Sequence, residues 1–281
     1  MKEFEDLTNV VNLVEDRSVS KKVSRYICIM IVLKFLLIFF LTLLMQSILF
    51  NTSKHLRFLV ILFGYVLIFS YIIRKHLMAS WVKKPLISDC NGTLTLLRYT
   101  ALAKRNTRKK SWGLHFFNIS NTLYYEGRFD DAKAVVSLME SYACSNLDNI
   151  MIEIMKCKFA FHDKDIHLLK LHSAKIELLK KDISVRQFLK LFKSASMHQP
   201  ILLELERNGE YQELYEHYKN VKPHPLTRFS KVQLNYYLFC AAASMGDIET
   251  AKAHQDFVLT YGGTLWYKKA IEDEIEKKDL A

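Results

Sequence analysis

The sequence predicts an all-α fold in two parts: an N-terminal transmembrane helical hairpin, then a short α-solenoid of antiparallel helix pairs. Three observations predict it. Phe35 to Phe50 and Phe58 to Ile73 are uncharged, overwhelmingly apolar runs of sixteen residues each. Only 4 prolines and 8 glycines occur in 281 residues, so the residues that break helices are scarce. One turn pattern also recurs through the second half of the chain. The expected division is 1–25, a cytoplasmic N-terminal segment; 26–76, the hairpin; 77–110, a basic juxtamembrane segment; and 111–281, the helical-repeat domain.

A membrane span takes about 20 apolar residues, and the flanks of each run supply what it lacks. Ile27 to Leu33 precedes the first run, interrupted only by Lys34. Lys34 lies near the start, where its stem can reach the headgroups, and Arg57 and Arg74 can do the same for the second run. Tyr26, Tyr71 and Trp81 suit the interfacial belt. Leu36-Leu37-Ile38-Phe39-Phe40-Leu41 offers no polar face, which argues against two helices of a soluble core. No small-residue cleavage site follows Phe50, which argues against a secretory signal. Lys21, Lys22 and Arg25 precede the first run, and Arg74, Lys75, Lys83 and Lys84 follow the second. By the positive-inside rule both termini are expected in the cytoplasm, with the chain integral to the plasma membrane.

The formal net charge of +11 invites a nucleic-acid reading, but its distribution argues otherwise. Residues 74–110 carry +9, residues 1–73 carry +3, and residues 111–281 carry −1. The excess is a belt beside the membrane, peaking at Lys104, Arg105, Arg108, Lys109 and Lys110. Near anionic headgroups each such residue contributes about 1 kcal/mol, so lipid is a candidate partner and nucleic acid is not expected. The competing reading of the belt is a solvated loop.

No chemistry stands out. The five cysteines, Cys28, Cys90, Cys144, Cys157 and Cys240, form no C-x-x-C and suggest free thiols in a reducing compartment. His162, His167 and His172 stand five apart, and on a helix successive ones diverge by about 140°, too far for a shared metal. Nucleophile-elbow, Walker and dinucleotide motifs are absent, so no catalytic residue, metal or cofactor is assigned.

The recurring turn is Gly, a polar residue, a large apolar residue, two polar residues, then Ala or Leu. It occurs at Gly127-Arg128-Phe129 with Ala132, at Gly209-Glu210-Tyr211 with Leu214, and at Gly246-Asp247-Ile248 with Ala251. Lys164-Asp165-Ile166 with Leu169 is a degenerate copy, lysine replacing glycine, and the spacings are then 37, 45 and 37 residues. Glycine can close a helix in the left-handed conformation. The apolar residue then tucks under the turn, and the small residue lets the next helix approach closely. By this reading Gly→Val at Gly127 or Gly246 costs at least about 1–2 kcal/mol, while Gly262 and Gly263, in a loop, tolerate it better. An extra helix is expected over 184–192, an early one over 88–103, and a closing helix over 265–278. Residues 3–16 are weakly amphipathic, suited to the membrane surface or to no fixed structure.

Over roughly 111–262 these turns resemble the tetratricopeptide repeat family, most closely at Gly127, Phe129 and Ala132. Departures are a spacing above 34, Ile119-Ser120 and Leu238-Phe239 in the Leu-Gly place, and Pro223 and Pro225 after only one copy. The resemblance implies a superhelix whose concave face binds a peptide or helix, lined by the first helix of each unit. Exposed groove positions would be Phe117, Asn121 and Tyr124, then Met151, Met155 and Lys158, then Tyr236 and Tyr237. The competing reading makes Phe117, Met151 and Met155 core. The expected function is a membrane-anchored protein-interaction scaffold with a protein or peptide partner. An enzyme or enzyme subunit in a helical fold, and a membrane-bound peptide sensor or self-protection protein, stay open.

Overall fold

Long apolar runs and short left-handed turns account for the architecture. The computed structural model describes residues 5–8, 16–49, 54–105, 112–182, 199–221 and 227–279, and among them there is no strand. The chain divides into two compact units, Glu15–Lys84 and Met1–Val14 with Pro85–Ala281.

The first unit holds α1 (Arg17–Leu49) and most of α2 (Lys54–Asp89). Both helices are long and apolar enough to cross a membrane. Their large side chains are mostly uncovered, Phe35 being 68 % and Phe69 67 % exposed. The Phe40 and Phe63 rings lie 4.5 Å apart, and the Lys22 ammonium stands 4.9 Å from the Trp81 ring centre.

The second unit begins with the end of α2 and continues through α3 (Gly92–Lys104), α4 (Trp112–Tyr125), α5 (Phe129–Tyr142), α6 (Asn146–His162) and α7 (Ile166–Leu179). After a short 3₁₀ turn at Lys180–Asp182 come α8 (Pro200–Asn208), α9 (Tyr211–Asn220), α10 (Arg228–Ser244), α11 (Ile248–Tyr261) and α12 (Trp266–Asp279). Helix starts carry side-chain caps: the Leu94 amide donates to Asn91, Leu168 to Asp165 and Thr250 to Asp247, and Thr227 with Ser230 forms a capping box. These caps satisfy orphan helix donors.

The basic stretch of residues 77–110 is divided rather than a separate segment. Helix α3 buries Leu96, Tyr99, Ala101 and Ala103 and packs on α4, so this compact unit begins at Pro85 and not at residue 111. Its apolar face explains the difference, because leaving it in water would be unfavourable. Lys104 and Arg105 lie exposed at its end; Arg108, Lys109 and Lys110 lie outside the described residues. So do the helix expected over 184–192, Pro223 and Pro225. Of residues 3–16, Leu7 is fully buried and Asp6 accepts a hydrogen bond from the Tyr142 hydroxyl, so this turn belongs to the helical unit rather than to a membrane surface.

Four helix pairs share one turn geometry. The turn residue is left-handed each time, with φ 78° at Gly127, 56° at Lys164, 76° at Gly209 and 76° at Gly246. The next amide reaches back to the same kind of carbonyl: Arg128 to Leu123 (3.0 Å), Asp165 to Ala160 (2.8 Å), Glu210 to Leu205 (2.9 Å) and Asp247 to Ala242 (3.1 Å). This six-to-one bond closes the helix and satisfies a terminal carbonyl. Ala132, Leu169, Leu214 and Ala251 are buried one turn on. The Ser120 hydroxyl donates to the Ala132 carbonyl at 2.9 Å, so α4 and α5 approach closely. The large residue of the motif does not always tuck under the turn. Phe129 stacks on His162 with ring centres 3.8 Å apart, whereas Ile248 is 79 % exposed.

The start and end of the helical unit are tied together. The Thr264 amide donates to the Cys90 carbonyl (3.0 Å), and the Gly92 amide donates to the Thr264 hydroxyl (2.9 Å), which itself donates to Glu126 (2.5 Å). This overturns the expectation for Gly262 and Gly263. A Cβ at Gly263, where φ is 57°, would stand 2.4 Å from the Cys90 carbonyl oxygen, and one at Gly262 would stand 2.6 Å from the Val258 oxygen. A Cβ at Gly246 would meet nothing within 4 Å.

Gly246→Ala is therefore expected to cost only the left-handed penalty of about 1–2 kcal/mol, and Gly263→Ala distinctly more. Denaturant melts of the two variants check this, and equal shifts would show that the tie between the ends is not formed.

Candidate functional site

Helices α4, α6 and α10 each present one face to the interior, because side chains three and four apart share a side. The first turn of α12 enters among them. The Trp266 ring lies 5.7 Å from Phe129, 5.4 Å from His162 and 5.0 Å from Tyr236. Tyr267 lies 5.0 Å from Tyr236, 6.2 Å from Tyr237 and 6.4 Å from Tyr125. The closing helix thus fills much of the face that the repeat reading leaves open.

Burial corrects the expected groove. Tyr124, Met155 and Lys158 are fully buried, and Phe117, Met151 and Tyr237 are buried as well. Asn121 and Tyr236 are half-buried. Phe117, Met151 and Met155 are core, the competing reading for those three. Tyr124 and Lys158 also face inward, so truncating them would open the core rather than test a surface.

Lys158 is the unusual member. Its ammonium donates to the Asn121 side-chain oxygen at 2.5 Å and to the Tyr125 hydroxyl at 2.8 Å, and it lies 4.7 Å from the Tyr125 ring centre. The Tyr124 hydroxyl donates to the Lys158 carbonyl at 3.4 Å. No carboxylate pairs with this amine among the described residues, and burial pulls it down to about 7. A buried cation without a counter-charge favours its neutral form.

Beside this cluster lies a cavity of about 250 Å³. Its walls are mostly aromatic, including Tyr124, Tyr218, Tyr236, Tyr237 and Trp266. Lys164 and Glu206 also line it, joined by an ion pair of 2.6 Å. Of the residues expected to form a site, Tyr124, Tyr236 and Tyr237 meet here. Lys164, Glu206 and Trp266 were not assigned to a site from sequence; the one available signal was a lysine in a glycine's place.

The remaining reactive groups are quiet. Burial pushes Cys90 and Cys157 up to about 11 and Cys240 up to about 12, which suppresses thiolate chemistry. His162 is stacked on Phe129, His167 is exposed, and His172 meets Glu153 at 2.6 Å. Among the described residues no group of His, Cys, Asp or Glu is arranged to hold a metal ion. Comparison with family profiles, curated proteins and solved structures gives no match.

The Lys158 amine has a pH signature. Between about 7 and its ordinary 10.5 the unfolded chain holds a proton that the folded chain has released, so stability rises with pH there, by up to about 1.4 kcal/mol per pH unit. The buried tyrosines and thiols are raised and act oppositely above pH about 9, but both proteins below share them. The stability of Lys158→Met relative to wild type should therefore increase as pH falls from 9.5 to 7 and level off below. Denaturant melts across that range check it, and a pH-independent difference would mean that the amine stays charged.

Proposed function

We propose that the chain is a membrane-anchored protein-interaction scaffold that presents a tetratricopeptide-like helical unit at the cytoplasmic face. The observation that carries this reading is the division of one chain into an uncovered apolar helix pair and a unit built from repeated helix pairs. Exposed phenylalanines on α1 and α2 are unfavourable in water by about 25 cal/mol per Å² and at ease in hydrocarbon. The contacts of Phe40 with Phe63 and of Lys22 with Trp81 support a pair of antiparallel helices. The basic residues beyond both outer ends favour the cytoplasm for the termini. Repeated helix pairs stacked on one another commonly serve as binding surfaces, which supports a protein or peptide partner over a small-molecule reaction.

Two measurements test it. A reporter fused after Ala281 should be active in its cytoplasmic form and inactive in its exported form; the reverse would overturn the topology. A photo-crosslinking residue at exposed Ser244, Asp163 or Asn208 should give a discrete protein adduct in cells, and no adduct from any of the three would overturn the scaffold.

A further inference from the structure

We infer that the aromatic cavity takes a single large apolar side chain of a peptide segment, with Lys164 and Glu206 holding that segment's backbone amide at the rim; this rests on the scaffold reading above. Size comes first. About 250 Å³ accommodates one aromatic or leucine-sized side chain, whereas a whole helix, roughly 10 Å across, does not fit. The walls come second. Tyrosine and tryptophan rings present large apolar faces that favour offset or edge-on ring contacts, and Tyr236 and Trp266 already meet in that way at 5.0 Å and 70°.

Charge decides the rest. Lys164 and Glu206 are the charged pair in the lining, and they face each other at 2.6 Å. The lining therefore carries no net charge and has no preference for a free cation or anion. It does offer one donor and one acceptor side by side, the complement of a peptide's carbonyl and amide hydrogen. The Lys164 side chain is 70 % exposed and the Glu206 side chain 35 % exposed, so both are within reach of an arriving chain.

Lys164 supplies an independent observation. The other three turns place glycine in the left-handed position, and here lysine holds it at φ 56°. Strain of this kind in a non-glycine residue collects where a side chain has a task. The side chain held there points to Glu206, on α8 of the next helix pair.

The test uses the full chain in nanodiscs, with empty nanodiscs as the blank. Ligand-observed saturation-transfer NMR is run with N-acetyl-tryptophanamide, N-acetyl-leucinamide and N-acetyl-alaninamide. The tryptophan and leucine amides should saturate weakly, on the order of 1 mM, and the alanine amide at least tenfold more weakly. Ala241→Leu, which adds bulk to the lining, should abolish binding. Lys164→Gly should keep or raise the melting temperature, since it relieves the left-handed strain, yet weaken the amides severalfold. If Ala241→Leu fails to fold, Lys164→Gly alone decides. No saturable binding by the wild type, equal binding of all three amides, or unchanged affinity in Lys164→Gly would overturn the proposal. A chain that crosslinks a partner but binds no amide would keep the scaffold and lose the cavity.

Discussion

The seating of the first turn of α12 is the constraint on which the helical unit depends. Trp266 and Tyr267 touch rings from α4, α5, α6 and α10, so one dipeptide bonds three helix pairs together. Gly127 serves this seat twice. It takes the left-handed turn, and its missing Cβ leaves room for Trp266, whose Cβ lies 3.0 Å from where a side chain would begin. The Thr264 bonds to Cys90, Gly92 and Glu126 then fix the angle at which the dipeptide arrives. Stacked helix pairs otherwise contact only their neighbours; here Thr264, just before the closing helix, is bonded back to Cys90 and Gly92 at the start of α3.

The interior is not wholly apolar. Packing α6 on α4 buries what their facing sides carry, and α6 carries Lys158. The amine is accommodated by Asn121 and Tyr125 rather than by a carboxylate, which leaves a neutral amine as the low-cost state. The cavity beside it remains where the second, third and fourth helix pairs meet the closing helix. Its two charged residues come from different helix pairs, Lys164 from the second turn and Glu206 from α8.

Much of the local structure was legible. The three glycine turns announce themselves by residue type, because left-handed closure suits a residue with little to lose from a positive φ, and the lysine copy by the pattern that follows it. The closing helix was legible as a helix, through the apolar residues Leu265, Trp266, Tyr267 and Ile271 followed by charge. Gly263 was not legible, since its need for glycine comes from the Cys90 carbonyl, far away in the sequence.

By itself the sequence determined the helical class, the two apolar helices, the position of each repeated turn and the lack of a recognisable catalytic motif. These are matters of local periodicity and of single residues, and neighbours along the chain settle them. Only the tertiary structure decided which face of each first helix is covered. Tyr124 and Lys158 look like surface residues by type, yet they are buried where α4 and α6 pack on each other, Lys158 against Asn121 and Tyr125 and Tyr124 against Phe159. Amphipathic pattern shows that a helix has a face to hide, but not which element hides it. The pairing of Lys164 with Glu206 is of the same kind, an outcome of where two helix pairs come to rest.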